Sequence, residues 1–515
     1  STAQIKAFNT ANIGALGTNE IASLNTADVA ALGSDQIAAL NTNQIVALSS
    51  LHASVLSSVQ VGALNTAQAS ALATSDLAAV STTAVRALST AASAALTTDQ
   101  IAALTSSQIG ALTSSQFGAL NTAQIAAIET TDISAITTAN VRAITTAGIA
   151  ALGTDQVRAL SSTQVAALSS SQFGVLNTAE IAALQSSDFA ALNSAQIGTL
   201  NTAQAAAIST SGIAQLTTSS LRALSTAAIN ALDTNQVNAL TSSQVASLST
   251  AQTAAFNTAQ VAVLSTVDAQ ALNSAQVAAL NTAQAAALTT ADIAALSTTN
   301  VRALSTTDVN ALGTDQVAAL TTAQLSAMST AQTAAFTTAQ VAALNTADAA
   351  ALSSAQAAAF NSAQIGALST ADAAALSTNA VRAITTAAIA GLTTDQVAAL
   401  TSNQAASLTS AQAAALNTAQ TAAIETTDIG ALTTAAVRAL NTADVNALTT
   451  AQVAALGTAQ VAALSTAQVQ ALTTAQVAVL STVDAQALNS AQVAALNTAQ
   501  AAALTTADIA ALSTT

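Results

Sequence analysis

The sequence predicts an all-α fold, a solenoid built from short capped helices with one helix in each eight-residue repeat. Two observations predict it. Residues 1–512 divide into 64 octads without an insertion or a deletion. Each octad has polar and apolar residues at fixed places, as in residues 273–296 (NSAQVAAL NTAQAAAL TTADIAAL). Short units of this kind stabilise one another by stacking, which is typical of solenoids.

The start of each octad carries a helix-capping pattern. We label the positions a to h: a is mostly Ser, Thr, Asn or Gly, b is always Thr or Ser, d is usually Gln or Asp, and h is always apolar. Positions a and d have the spacing of a capping box, in which each side chain bonds the other residue's backbone N–H. We therefore predict a helix of about two turns that follows an N-cap at a. If a is instead the residue after the preceding helix, the N-cap moves to b.

The apolar positions predict which face of each helix is buried. Positions b, e and h share one stripe, so we expect Val, Ile and Leu at e and h to form the core, with the b hydroxyl at its edge. Met328 and the 7 Phe occupy e or h and are expected to fill that core. The Ala-rich positions c, f and g predict a second face on which helices approach closely. A β-solenoid is the alternative because Thr and Val favour strands, although the octad lacks period-two alternation.

The charged residues reveal a longer period. They divide the chain into blocks of ten or seven octads: 1–80, 81–136, 137–216, 217–296, 297–376, 377–432 and 433–512. Each block has a cation at f of its first octad: Lys6, Arg86, Arg142, Arg222, Arg302, Arg382 and Arg438. From the second block on, the seventh octad has Asp at d: Asp132, Asp188, Asp268, Asp348, Asp428 and Asp484.

Two interpretations of this longer period remain open. Copying of an ancestral block is one, since residues 258–299 and 474–515 are identical. The other is that these cations and aspartates are candidate assembly contacts that pair between turns or between molecules. Residues 513–515 begin a further octad, so we expect the chain to be a window on a longer array.

Composition argues against several classes of function. The chain has 8 Lys and Arg against 23 Asp and Glu, a net charge of −15, so it lacks the basic surface of a nucleic-acid-binding protein. Polar positions recur in every octad, so no apolar run is long enough to span a membrane. His52 is the sole histidine and is expected to be a surface substitution for Asp. We therefore expect no enzyme, no cofactor and no metal centre, with weak calcium binding by the repeated Asp left open.

The octads across Leu448–Leu472, which include LTTAQVAAL and LSTAQVQAL, resemble tandem tracts of very large, repetitive, secreted proteobacterial surface proteins of the adhesin-like kind. The resemblance covers nearly the whole chain and implies an extracellular structural or adhesion-related role. It implies no catalytic residue. The sequence therefore predicts a structural extracellular rod or filament that self-associates, serving as a surface fibre, matrix component or stalk. The alternative is an adhesin or ice-binding array that presents a regular Ser/Thr face.

Overall fold

The computed structural model describes residues 1–512 and confirms the all-α prediction: these residues contain one short helix per octad and no β-strand. Every helix begins at position b, and most end at f or g, as in Thr282–Ala287 and Ser50–Ser54. The octad 129–136 forms a 3-10 helix, Thr130–Ala135. Six helices end at e: Thr82–Val85, Thr146–Ile149, Ser194–Ile197, Thr386–Ile389, Thr426–Ile429 and Thr474–Val477.

Each helix starts at an N-cap in position a, so the alternative cap at b is wrong. In the octad that begins at Asn281, the Gln284 backbone N–H donates to Asn281 Oδ1 at 3.0 Å, and the Asn281 backbone N–H donates to Gln284 Oε1 at 2.8 Å. Residues h and a are both extended, with φ and ψ of −60° and 140° at Leu288. These two extended residues end one helix and turn the chain into the next.

The buried positions differ from the predicted stripe. Positions e and h form the core, and Met328 and six of the Phe are buried there, whereas Phe8 is half-buried. The b residue, however, is exposed in most octads and half-buried in the others, so the predicted place of its hydroxyl at the core edge is wrong for most octads. Position d, which is usually Gln, is buried instead. The physical reason is that d lies next to e on the side of the helix that faces the neighbouring turn.

The chain forms two compact units, Ser1–Val263 and Leu264–Thr515, and the same stacking occurs inside each. Helices three octads apart lie side by side, such as Thr42–Val46 with Thr66–Ala71 in the first unit and Ser354–Ala359 with Thr378–Ala383 in the second. The side chain at d reaches the octad four earlier, as shown below. One turn of the winding therefore takes between three and four octads.

Small residues at f permit this close stacking. A Cβ placed on Gly62 would lie only 3.2 Å from the Ala87 carbonyl oxygen, which belongs to position g of the third octad ahead. The predicted close approach through f and g is therefore present. Position c, the third member of the predicted Ala-rich face, is exposed to solvent instead. A helix of four to six residues is unstable alone, so these contacts between turns supply its stability.

Candidate functional site

The most regular polar feature is the buried glutamine at d, which bonds in two directions. Gln340 Oε1 accepts from the Thr337 backbone N–H at 2.7 Å, which completes the cap of its own helix. Gln340 Nε2 donates to Val309 O at 2.9 Å and to Leu312 O at 2.7 Å, in the octad four earlier. The same pattern recurs through both units, so a ladder of glutamine amides joins the turns. We call this feature the glutamine ladder.

The capping argument predicts only the first of these bonds. A cap requires an acceptor at d, and Asp or Glu would serve as well as Gln, because a negative charge is favourable at a helix N-terminus. The frequent occurrence of Gln at d was therefore the one signal in the sequence that the side-chain NH2 group donates a hydrogen bond. Its use is to add a donor for carbonyl groups at the end of a helix, where backbone N–H donors become fewer.

Shorter residues at d retain part of the ladder. Asn140 Nδ2 donates to Leu112 O at 2.7 Å, and Asn300 Nδ2 donates to Leu272 O at 2.6 Å. Both asparagines lie in octads that carry an Arg at f, where the Gln is absent. These side chains reach only the carbonyl of h, 28 residues earlier. The octads that carry Ala at d make no such bond, because Ala has no polar side-chain atom.

His52 also belongs to the ladder, and its predicted place on the surface is wrong. Its side chain is 6% exposed, and Nε2 lies 2.7 Å from Leu24 O, 28 residues earlier. The Ser49 backbone N–H lies 3.3 Å from Nδ1. A ring that carries its proton on Nε2 therefore accepts and donates at the same two places as glutamine, which explains why His fits at this position.

The six aspartates proposed as assembly contacts are buried at d: Asp132, Asp188, Asp268, Asp348, Asp428 and Asp484. Each is at most 6% exposed. Several accept a hydrogen bond from a hydroxyl at b of the third octad before, as Asp188 does from Ser162 at 2.9 Å. These carboxylates therefore contact neighbouring turns of their own chain, and a second molecule could reach them only if the turns moved apart.

Burial changes the ionisation of some of these groups. Desolvation by burial is the main cause that raises the pKa of Asp348, against the lowering effect of the hydrogen bond from the Asn345 backbone. The charge of Asp372, three octads ahead, raises that pKa further. Desolvation likewise raises the pKa of Asp444 and of Glu180, both of which occupy d. These three carboxyl groups between neighbouring turns are therefore harder to ionise than an exposed carboxyl group.

The cations at f lie on the surface, in contrast to the aspartates at d. Lys6, Arg86, Arg222, Arg302, Arg382 and Arg438 are exposed, as is Arg142. Arg142 Nε donates to Ala167 O at 3.0 Å, in the turn ahead, and Asn230 and Asn310 at f make the same type of bond over 25 residues. A long polar side chain at f therefore bridges two turns. The role of these cations in assembly stays a prediction.

Other charge clusters are sparse in the part of the chain that the structure describes. Its one ion pair joins Arg158 to Asp155 at 3.7 Å, and both side chains are largely exposed, so it contributes little to stability. Residues 1–512 contain no group of three or more His, Asp or Glu side chains placed to hold a metal ion. Their helices are also too short to reach across a bilayer.

The fold and the glutamine ladder define a class: tandem-repeat α-solenoids whose repeat is a single capped helix. Within that class, the chain belongs to the ALTTAQ repeat family. The family matches most of the chain, at residues 18–50, 70–106, 101–127, 125–162, 156–186, 181–218, 213–250, 266–298, 285–322, 317–346, 341–378, 367–402, 421–458, 453–482 and 477–514. Comparison with curated proteins and with solved structures found no match.

Proposed function

We propose that the chain is a structural extracellular protein, in which the stacked octads form a rod that serves as a surface filament, matrix component or stalk. The glutamine ladder is the observation that carries this proposal. Each octad with Gln at d bonds to the octad four before it by the same side chain, so adding such an octad extends the stack without a new type of contact. The mostly polar positions a and b and the Ala-rich positions c and f are exposed, and the hydroxyl and amide groups at a and b suit a solvent-exposed scaffold.

Self-association into filaments or bundles is part of this proposal. The seven exposed cations at f, spaced by seven or ten octads, support it because, apart from Arg158, the other exposed charged side chains are acidic. Exposed ion pairs contribute about 0–1 kcal/mol each, so many must act together. No catalytic activity, cofactor or membrane-spanning segment is assigned to the chain. The extracellular location is proposed from the composition, which is rich in Ser, Thr, Asn, Gln and Ala and poor in Lys, and from the resemblance to secreted surface proteins.

Electron cryomicroscopy of the purified chain at low and high salt tests the rod and its association. Elongated particles that bundle at low salt are expected. Rods that stay single at every salt concentration would contradict self-association and favour a stalk. Compact particles would contradict the rod-shaped structure. Protease treatment of intact source cells tests the location, because a surface protein is cleaved and an internal one is protected.

A second candidate is an adhesin or ice-binding array, and the exposed b hydroxyls favour it. Sequence patterning placed them at the core edge, but they form a regular surface feature of Thr and Ser. Freezing-point measurements on the purified chain test ice binding. A gap between melting and freezing temperatures, lost when b Thr residues of one turn become Asn, would support it. An unchanged freezing point would contradict it.

A further inference from the structure

The carbonyl groups at the end of each helix form a site that is lined by oxygen atoms. In most octads the side-chain Nε2 of a Gln at d occupies this site. Gln468 Nε2 lies 2.9 Å from Val437 O, 3.3 Å from Arg438 O and 2.8 Å from Leu440 O. Three carbonyl oxygens of one octad therefore converge on one atom. The C-terminal end of a helix also carries partial negative charge, so this site favours a donor or a cation.

Asp444 presents an anion to such a site. Its Oδ2 accepts from the Asn441 backbone N–H at 3.3 Å, as glutamine Oε1 does. The side chain is 0% exposed, and its Oδ1 has no hydrogen-bond partner. The octad four earlier is 409–416, whose Ala413 and Leu416 carbonyl groups occupy the places that glutamine Nε2 bonds elsewhere. In the repeat, Oδ1 replaces that nitrogen, but it can only accept when ionised.

The chain offers Asp444 no counter-charge. The octads whose helices pack against it, 417–424 and 465–472, contain no charged residue, and neither does 409–416. The nearest cation along the chain, Arg438, lies on the surface at f. An ionised carboxylate that is buried without a partner is costly, and burial raises the pKa of Asp444 accordingly. Either a proton or an external cation must therefore lower this cost.

We propose that Asp444 and the carbonyl oxygens of residues 409–416 bind a hard cation that prefers oxygen ligands, such as Ca2+. The donor set is a carboxylate, backbone carbonyl groups and the hydroxyl of Thr418, which lies 26 residues before Asp444. Ser402 donates to Asp428 from that same relative position, at 2.6 Å. Ca2+ takes six to eight such oxygens, including water, and accepts irregular geometry.

The contact of Oδ2 with the cap recurs at three further Asp residues at d, to which the proposal extends, although Asp444 alone of the four has an Oδ1 that is fully buried without a partner. In the second unit Asp308, Asp348 and Asp372 also accept the N–H of position a through Oδ2, at 3.1, 3.4 and 3.2 Å. In the repeat, each takes the position of the Gln that elsewhere bonds the end of the helix four octads earlier. Cation binding at these places would clamp adjacent turns together, so the stability of the stack becomes dependent on the cation. This inference does not rest on the proposed extracellular role.

The test compares the full chain with two variants of equal charge. One variant replaces four acids at d by the residue most common there: Asp308→Gln, Asp348→Gln, Asp372→Gln and Asp444→Gln. The control replaces four exposed acids at c: Asp99→Gln, Asp155→Gln, Asp315→Gln and Asp395→Gln. Calcium is titrated at constant ionic strength and pH 7 by calorimetry, and thermal unfolding is followed by circular dichroism.

The native chain should bind several Ca2+ ions and unfold at a higher temperature with millimolar Ca2+. The variant at d should bind four fewer ions and lose part of that shift, whereas the control at c should retain both. Equal loss in the two variants would mean that only surface charge attracts calcium, which overturns the proposal. Stabilisation by acid but not by Ca2+ would overturn it too, and would assign a proton to the site. Circular dichroism without calcium verifies that each variant is folded.

Discussion

Replacing Gln340 by Met tests the glutamine ladder. Methionine has nearly the same length and volume, so the packing is retained while every polar contact is lost. The Thr337 backbone N–H loses its side-chain acceptor, Leu312 O loses the Nε2 donor, and Val309 O keeps only the Leu312 backbone N–H, at 3.3 Å. We expect the turns that contain residues 305–344 to separate more readily than in the native chain.

The size of the effect follows from these contacts. A hydrogen bond contributes roughly 0.5–1.5 kcal/mol net, and a buried group left unsatisfied costs roughly 1–3 kcal/mol. The buried Gln340 side chain makes four such contacts, and the three to carbonyl groups share the two hydrogens of Nε2, so about three full bonds are lost. The expected loss is therefore about 3 kcal/mol of local stability. Since about 1.4 kcal/mol corresponds to a factor of ten, protection against hydrogen exchange should fall about a hundredfold.

Native-state hydrogen exchange is the appropriate assay, because long repeat arrays do not unfold in one cooperative step. The amides of Val309, Leu312 and Val341 report on the site. The matched control is Gln470→Met at position f, where the side chain is exposed. We expect the control to change stability by less than about 0.5 kcal/mol. Equal loss of protection in both variants would refute the role of the ladder.

Three further predictions concern the core, the cap and pH. Leu280→Asp places a charge in the core and should melt the adjacent turns, whereas Ala279→Asp on the half-buried g position should cost less; circular dichroism of both variants decides, and similar losses of helicity would contradict an e/h core. Asn281→Ala should cost about 0.5–2 kcal/mol in a thermal melt because it removes the N-cap acceptor, and a larger cost for Thr282→Ala would move the cap to b. In calcium-free buffer the free energy of unfolding should fall as pH rises above the ordinary Asp range, because the pKa of Asp444 is higher in the folded chain and the protonated form favours folding. Melts between pH 3 and pH 7 should show this slope, which Asp444→Gln should reduce; a slope unchanged by that substitution would contradict the assignment.

The capping box was predictable because it depends only on residues three apart. Asn281 and Gln284 bond each other as their types and spacing indicate, and the helix begins where that argument places it. The apolar core at e and h was predictable for a similar reason, since helix geometry puts residues three apart on one stripe. The exposure of b was not predictable, because b lies at the border of that stripe and helix geometry allows it to face either the core or the solvent.

His52 shows why local patterning fails at d. The surface was expected for it because isolated polar residues are usually solvated. In the folded chain its ring bonds Leu24 O, which is 28 residues away and belongs to another turn. No local rule specifies which octad will lie there. The same reason separates the candidate assembly contacts into exposed cations and buried aspartates, which the sequence placed together.

The sequence by itself determined the repeat, the helix in each octad, the cap that starts it and the two apolar positions of the core. These follow from interactions within eight residues, which the amino-acid types specify directly. Only the tertiary structure decided that a turn takes between three and four octads, and that the residue at d therefore meets the end of a helix four octads earlier. That number depends on how h and a turn the chain and how closely f approaches the next turn, which are properties of packed helices.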